Sequence, residues 1–172
     1  MHTPEEYLVM AYKEATKSPD PSTQNGAVIP VEWEGSHADG RVHDHILMDC
    51  NRLPDGVAVQ DERLQRPTKY AYIEHAERNV VYKAAREGWC LEGLTMYVPW
   101  FACADCARAI IQSGIVRVVG HQLMLDKTPP HWKESIEAAF KMLEEAGVKM
   151  ELIQTPLPDA PMIRFNGELW QP

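Results

Sequence analysis

Residues 94–119 read LTMYVPWFACADCARAIIQSGIVRVV. Leu94 to Val98 is a short β-branched and apolar run, which predicts a strand. Cys103 to Gln112 carries helical periodicity and stops at Ser113-Gly114. Ile115 to Val119 predicts a second strand. A strand–helix–strand unit of this length joins parallel neighbours, so the segment fixes an α/β architecture.

The same pattern continues on both sides. Downstream, Pro130 to Ala146 is amphipathic and ends at Gly147, and Val148 to Ile153 predicts another strand. Upstream, Tyr72 to Glu87 places Ile73, Ala76, Val80, Val81, Ala84 and Ala85 on one side, with Gly88 as the stop. Further upstream, Asn25 to Val31 and Val42 to Met48 predict two strands joined by a polar, glycine-containing turn over Glu32 to Gly40. Thr3, Pro4 and Glu6 form a capping-box signature ahead of a helix that stops before Ser18-Pro19-Asp20-Pro21. Residues 51–70 are polar and irregular, the kind of long loop that carries function. From Thr155 the chain holds Pro156, Pro158, Pro161 and Pro172 and is expected to run extended over the surface. The order α-β-β-α-β-α-β-α-β implies a mixed five-stranded sheet with helices on both faces and an antiparallel edge. Residues 1–154 form one domain and 155–172 a tail.

Composition narrows the function. Of 172 residues, 17 are Lys or Arg and 25 are Asp or Glu, giving a formal charge of −8. Nucleic-acid binders hold phosphates with a basic stripe, and none is visible, so polynucleotide partners are not expected. A small phosphorylated ligand needs only a few local cations. No apolar run approaches the ~18 residues of a membrane span, so no membrane partner is expected. The acidic start Met1-His2-Thr3-Pro4-Glu5-Glu6 is unlike a secretory signal, so a cytoplasmic location is expected. In that reducing setting, close-spaced cysteines more often bind metal or do chemistry than form disulfides.

The chemistry concentrates in His75-Ala76-Glu77 and Cys103-Ala104-Asp105-Cys106. Cys-x-x-Cys at a helix start points two sulfurs at one place, and the helix N-terminus favours thiolates. His75 lies near the start of the preceding helix, and adjacent helix starts meet at one edge of such a sheet. One imidazole and two thiolates then surround Zn²⁺ with a fourth position open, the arrangement of catalytic rather than structural zinc. Glu77 is expected beside the metal as a proton shuttle, not as a ligand. A redox role is the rival reading of the Cys-x-x-Cys alone. The zinc nucleobase deaminases carry His-x-Glu followed by Pro-Cys-x-x-Cys, with the Glu as general acid and base. This chain matches except that Ala102 replaces the proline.

At these motifs the sequence resembles the cytidine and deoxycytidylate deaminases, most closely the deoxycytidylate branch, from about Tyr7 to Ile153. Ser18 to Ile29 (SPDPSTQNGAVI), Cys50 to Val57 (CNRLPDGV), Arg66 to Tyr70 (RPTKY) and Cys103 to Ile115 (CADCARAIIQSGI) carry the rest of the resemblance. It implies a three-layer α-β-α cytidine deaminase-like fold and one catalytic Zn²⁺ per subunit held by His75, Cys103 and Cys106. It implies hydrolytic deamination of dCMP to dUMP, with Glu77 moving protons from water to N3 and to the departing amine. Asn51 matches the residue that holds the sugar, and backbone at Ala76 and Ala102 reads the pyrimidine edge. It also implies a homo-oligomer, dimer or hexamer. A different small nucleoside, base or modified cytosine nucleotide is the alternative substrate. A non-catalytic, zinc-containing nucleotide binder is the alternative from another class.

The pattern departs around residue 50. Tyr becomes Cys50, and the flanking glycines become Asp49 and Arg52. In allosteric relatives this segment helps bind a regulatory triphosphate, so its loss or alteration is expected. Arg63, Arg66 and Lys69 are the candidate phosphate group. Trp100 and Phe101 either wall the base pocket or pack the domain, and Trp132 either closes the pocket from the next helix start or serves a surface or oligomer contact. His43 and His45 read as ordinary strand histidines rather than a second zinc site. Cys50 and Cys90 read as core or partly exposed thiols. Ile163 to Gly167 reads as a contact for a neighbouring subunit.

Overall fold

The computed structural model describes the backbone of residues 2–33 and 43–172 and the side chains of residues 2–31 and 45–172. The turn expected at Glu32 to Gly40 therefore lies largely outside the described residues, as does Val42.

Helix α1 (Pro4–Ala15) begins at the predicted cap: Thr3 Oγ1 accepts from Glu6 N at 3.2 Å and Glu6 Oε2 accepts from Thr3 N at 2.7 Å. Strands β1 (Gly26–Trp33) and β2 (His43–Cys50) form an antiparallel pair in register from Gly26↔Cys50 to Trp33↔His43. A 3-10 turn (Asp61–Leu64) and the short α2 (Lys69–Tyr72) occupy the segment expected to be irregular. Then come α3 (Ala76–Glu87), β3 (Thr95–Tyr97), α4 (Ala104–Gln112), β4 (Arg117–His121), the short α5 (Gln122–Leu125), α6 (Pro130–Glu145) and β5 (Lys149–Ile153). The sheet order is β2-β1-β3-β4-β5, with β1 antiparallel to both neighbours and β3, β4 and β5 parallel. This is the mixed five-stranded sheet read from the sequence.

Strand alternation builds the two faces. Ala27, Ile29, Val31, Met96, Val98 and Val118 enter one core with Val80 of α3, Ile110 of α4 and Leu143 of α6. Val28, Tyr97 and Val119 enter the other with Leu8, Ala11 and Tyr12 of α1. Helix α1 lies so close to β1 that a Cβ built on Gly26 would sit 2.2 Å from the carbonyl oxygen of Ala11. Only glycine fits there.

Two expectations need correction. The helix expected from Tyr72 begins at Ala76, because Arg52 and Glu74 exchange backbone hydrogen bonds of 3.1 and 2.9 Å that hold residues 73–75 extended. The tail is not a surface strap. It folds into a hairpin, β6 (Ile163–Phe165) and β7 (Glu168–Trp170), and buries Leu157, Ala160, Ile163 and Phe165 against the α1 core. Each large apolar side chain among them contributes roughly 1.5–3 kcal/mol when fully buried. Ile163 and Phe165 are thus covered by their own chain, not reserved for a neighbour.

Candidate active site

The termini of α3 and α4 meet at the carboxyl edge of the parallel strands, where open α/β sheets place their ligands. His75 is the N-cap of α3 and Cys103 the N-cap of α4, both with extended backbone. Cys106 is in the first turn of α4. His75 Nδ1 lies 3.5 Å from each sulfur, and the sulfurs are 3.6 Å apart. A tetrahedral zinc ion with Zn–S about 2.3 Å and Zn–N about 2.0–2.1 Å separates its donors by about 3.8 Å (S to S) and about 3.6 Å (S to N). The donor types and the triangle they form both fit zinc.

The electrostatics agree. Hydrogen bonding with Cys106 pulls the Cys103 thiol down to about 3, against the penalty of burial and helped by His75. Cys103 and burial push Cys106 well above its ordinary value. The fold thus favours ionisation at Cys103 over Cys106, and binding a dication through both sulfurs would release any remaining thiol proton. Burial disfavours a charged His75, yet the Cys103 and Glu77 charges outweigh it and the net shift is upward. The first-turn amide of Ala104 donates to Ser135 Oγ of α6 at 3.1 Å, pinning α4 in place. Arg78 pairs with Glu74 and, at 3.5 Å, with Asp105, joining the two helix starts across the site.

Glu77, 2% exposed, faces the same cavity. Burial raises its pKa above the ordinary carboxyl value. Its Oε2 is buried and has no hydrogen-bond partner among the described residues. An unpartnered buried carboxylate oxygen is costly and calls for an explanation in function. The cavity it faces opens to solvent, and Asn25, Asn51, Lys69, Tyr70, Trp100 and Trp132 line it.

The other candidates divide. Ala76 lines the cavity; Ala102 is buried between Phe101 and Cys103, which do. Asn51 also lines it, but its amide is largely committed. Oδ1 accepts from Asn25 N at 2.8 Å, while Nδ2 donates to Thr23 O at 2.8 Å and Asp20 Oδ2 at 3.5 Å. Lys69 lines the cavity with its ammonium held by Asp20 at 2.7 Å and Ser22 at 2.6 Å. Arg66 lines the mouth. Arg63 is not among the lining residues; it stacks over Tyr72 at 4.8 Å and donates to Ala58 O.

Trp100, Phe101 and Trp132 all line the cavity, and the Trp132 ring stands 5.7 Å from both His75 and Trp100. Phe101 also packs the core, stacked on Phe140 at 4.5 Å. Asn25 is a site residue that the motifs did not single out. Its side chain bridges to the backbone N and O of Trp100 at 3.2 Å each, fixing the loop before Cys103. Its position inside the SPDPSTQNGAVI stretch is the signal that could have found it.

A family model, the cytidine and deoxycytidylate deaminase zinc-binding region, matches residues 1–122. The chain belongs to this family. A deaminase from Aliivibrio fischeri is 34% identical to it over 145 residues, 84% of this chain and 88% of that protein. The deoxycytidylate deaminase of Mus musculus is 33% identical over 153 residues, 84% of this chain and 76% of that protein. The apo dCMP deaminase of cyanophage S-TIM5 shares the fold, with a TM-score of 0.62 at 21% identity over 87% of this chain and 96% of that one. The three-layer cytidine deaminase-like architecture expected for a zinc-dependent deaminase is the one observed.

Elsewhere this deaminase is quieter. His45 stacks on Trp89 at 4.6 Å. Glu14, Asp49 and Cys50 converge in a second donor group, but Lys17 pairs with Glu14 and Arg52 pairs with Asp49 through two contacts of 2.8 and 2.9 Å. Burial lifts the Cys50 thiol to about 11. Cys90 is exposed. No helix among the described residues is long and apolar enough to cross a membrane.

Proposed function

We propose that this family member hydrolyses dCMP to dUMP and ammonia. Glu77 carries the proposal: a buried carboxyl group with one unpartnered oxygen, beside a His/Cys/Cys donor triangle and facing a solvent-open cavity. His75, Cys103 and Cys106 would hold zinc, whose Lewis acidity makes water a nucleophile near neutral pH. Glu77 accepts a proton from the attacking water and passes it to N3 of the cytosine. It then moves the second water proton to the exocyclic amine. The C4–N bond breaks, ammonia leaves, and the water oxygen remains as the C4 carbonyl. Burial favours the protonated carboxyl, the form that must donate. Ala76 and Ala102 offer backbone groups to the pyrimidine edge, and Asn51 offers the free capacity of Oδ1 to the sugar.

Relatives named deoxycytidylate deaminase support the choice of dCMP. Assembly as a cytoplasmic homo-oligomer is part of the same proposal. The test is ammonia release from the zinc-loaded protein offered dCMP, CMP, deoxycytidine and dCTP in parallel. Turnover led by dCMP is expected. Silence across the panel with zinc bound would remove the proposal.

A further inference from the structure

The family match ends at residue 122, yet the C-terminal hairpin reaches the mouth of the cavity. Asn166 and Gly167 have φ of 51° and 89°, the two positive values of a type I′ turn, for which Asn-Gly is the favoured pair. The turn carries its partners to the cavity rim. Arg164 O accepts from Gln24 N at 2.8 Å, and Arg164 N donates to Gln24 Oε1 at 2.8 Å. Gly167 N donates to Ser22 O at 2.8 Å. The rings of Phe165 and Trp100 pack in a T-shape with centroids 5.0 Å apart, against the aromatic wall. Finally, Arg66 Nη2 donates to Asn166 Oδ1 at 3.1 Å.

Charge accounting singles out Arg66. Lys69 is buried and neutralised by Asp20, and Arg63 is turned onto Tyr72. Among the described residues no carboxylate pairs with Arg66. Its one side-chain partner there is the neutral amide oxygen of Asn166. A neutral acceptor fixes one edge of the guanidinium while leaving its full charge and its other N–H donors available. That geometry suits a phosphate, which a planar fork binds through two oxygens.

Resting on the deoxycytidylate reading above, we infer that Arg66 binds the 5′-phosphate and that Asn166 of the C-terminal hairpin is the positioning residue that orients it. The hairpin thus completes the substrate site from outside the family's zinc-binding region. Its left-handed φ explains why this position takes Asn: the residue must turn the chain and present an acceptor at once.

The experiment measures kcat and KM for dCMP and deoxycytidine on the zinc-loaded protein, and dUMP and deoxyuridine binding by calorimetry. Four variants are compared with the wild type. Arg66→Gln should raise the dCMP KM by roughly 10- to 100-fold, the effect of losing a charge-assisted hydrogen bond, with a far smaller change in kcat. The loss on dCMP should exceed that on deoxycytidine by about tenfold or more. Arg66→Lys should recover part of it. Asn166→Gly keeps the turn but removes the acceptor, and should raise the dCMP KM by a few fold. Asn166→Asp keeps the acceptor but pairs the charge, and should weaken dUMP more than Asn166→Gly does. Parallel losses on both substrates, or a dCMP KM within twofold for Arg66→Gln, would overturn the inference. If the wild type fails to deaminate dCMP, the functional reading falls, while preferential dUMP binding lost in Arg66→Gln would still uphold the phosphate assignment. No dUMP binding by the wild type would overturn both.

Discussion

Replacing Asp20 with Asn should be among the most damaging polar substitutions in this fold. The Asp20 and Lys69 side chains are only 3% and 6% exposed, and their charged atoms are 2.7 Å apart. Asn keeps an oxygen for the amides of Ser22 and Thr23, which donate to Asp20 Oδ1 at 2.8 and 3.2 Å. What it removes is the counter-charge, leaving a buried ammonium whose remaining hydrogen bond among the described residues is to Ser22 Oγ. Removing one partner of a buried pair costs about 3–5 kcal/mol, because the remaining charge is uncompensated. At about 2–4 °C per kcal/mol for a domain of this size, Tm should fall by roughly 6–20 °C. The reverse deletion, Lys69→Met, should cost less. Asp20 would keep the two amides, the Ser22 hydroxyl at 3.1 Å and the Asn51 amide to stabilise its charge. Urea unfolding of the zinc-loaded wild type, both single variants and Asp20→Asn/Lys69→Met gives the coupling. The double variant should recover about 2 kcal/mol or more over additivity. A loss under about 1 kcal/mol for Asp20→Asn, or additive singles, would refute the reasoning.

Three further outcomes rest on other parts of the structure. Gly26→Val sets a side chain into the α1 backbone and should cost about 3 kcal/mol or more; unfolding within about 1 kcal/mol of wild type would show that α1 moves freely. His121 is fully buried, accepting from Tyr12 at 2.7 Å and donating to Thr155 O at 3.1 Å, and burial lowers its pKa. The unfolded chain then binds a proton that the fold does not, so stability is complete above about pH 6.5 and declines below it. His121→Gln should flatten that part of the stability–pH curve, and an unchanged slope would assign it to other groups. Asp49 and Asp55 both pair with Arg52, so the segment at which the resemblance implies lost or altered triphosphate regulation is occupied by its own charges. Kinetics with dCMP should be hyperbolic, and added dCTP should not change their shape; sigmoidal curves made hyperbolic by dCTP would contradict this.

The candidate centre is legible in the sequence because its chemistry is local. His75, Cys103 and Cys106 sit at helix starts, and a helix start can be read from a few neighbouring residues. The sheet is legible because the core strands alternate or run apolar. What escapes are effects carried by distant partners. The helix expected from Tyr72 loses its first turn to a backbone bridge with Arg52, a tertiary contact that overrides local preference. The prolines of the tail point to an extended strap, although Asn166-Gly167 between Ile163-Arg164-Phe165 and Glu168-Leu169-Trp170 is a strong hairpin signal. Lys69 and Arg66 look alike in sequence, and only the fold shows that one is neutralised and the other is not. Asn51 and Asn25 likewise gain their roles from neighbours more than twenty residues away.

The central claim is that Glu77 moves protons and does not hold the metal. Glu77→Gln, matched in size and unable to exchange a proton, tests it most directly. Zinc content by atomic emission should stay near one ion per chain, while kcat on dCMP should fall by about 10²–10⁴-fold, the range for losing a general acid–base group. Turnover within about tenfold of the wild type, or loss of zinc along with activity, would contradict the account.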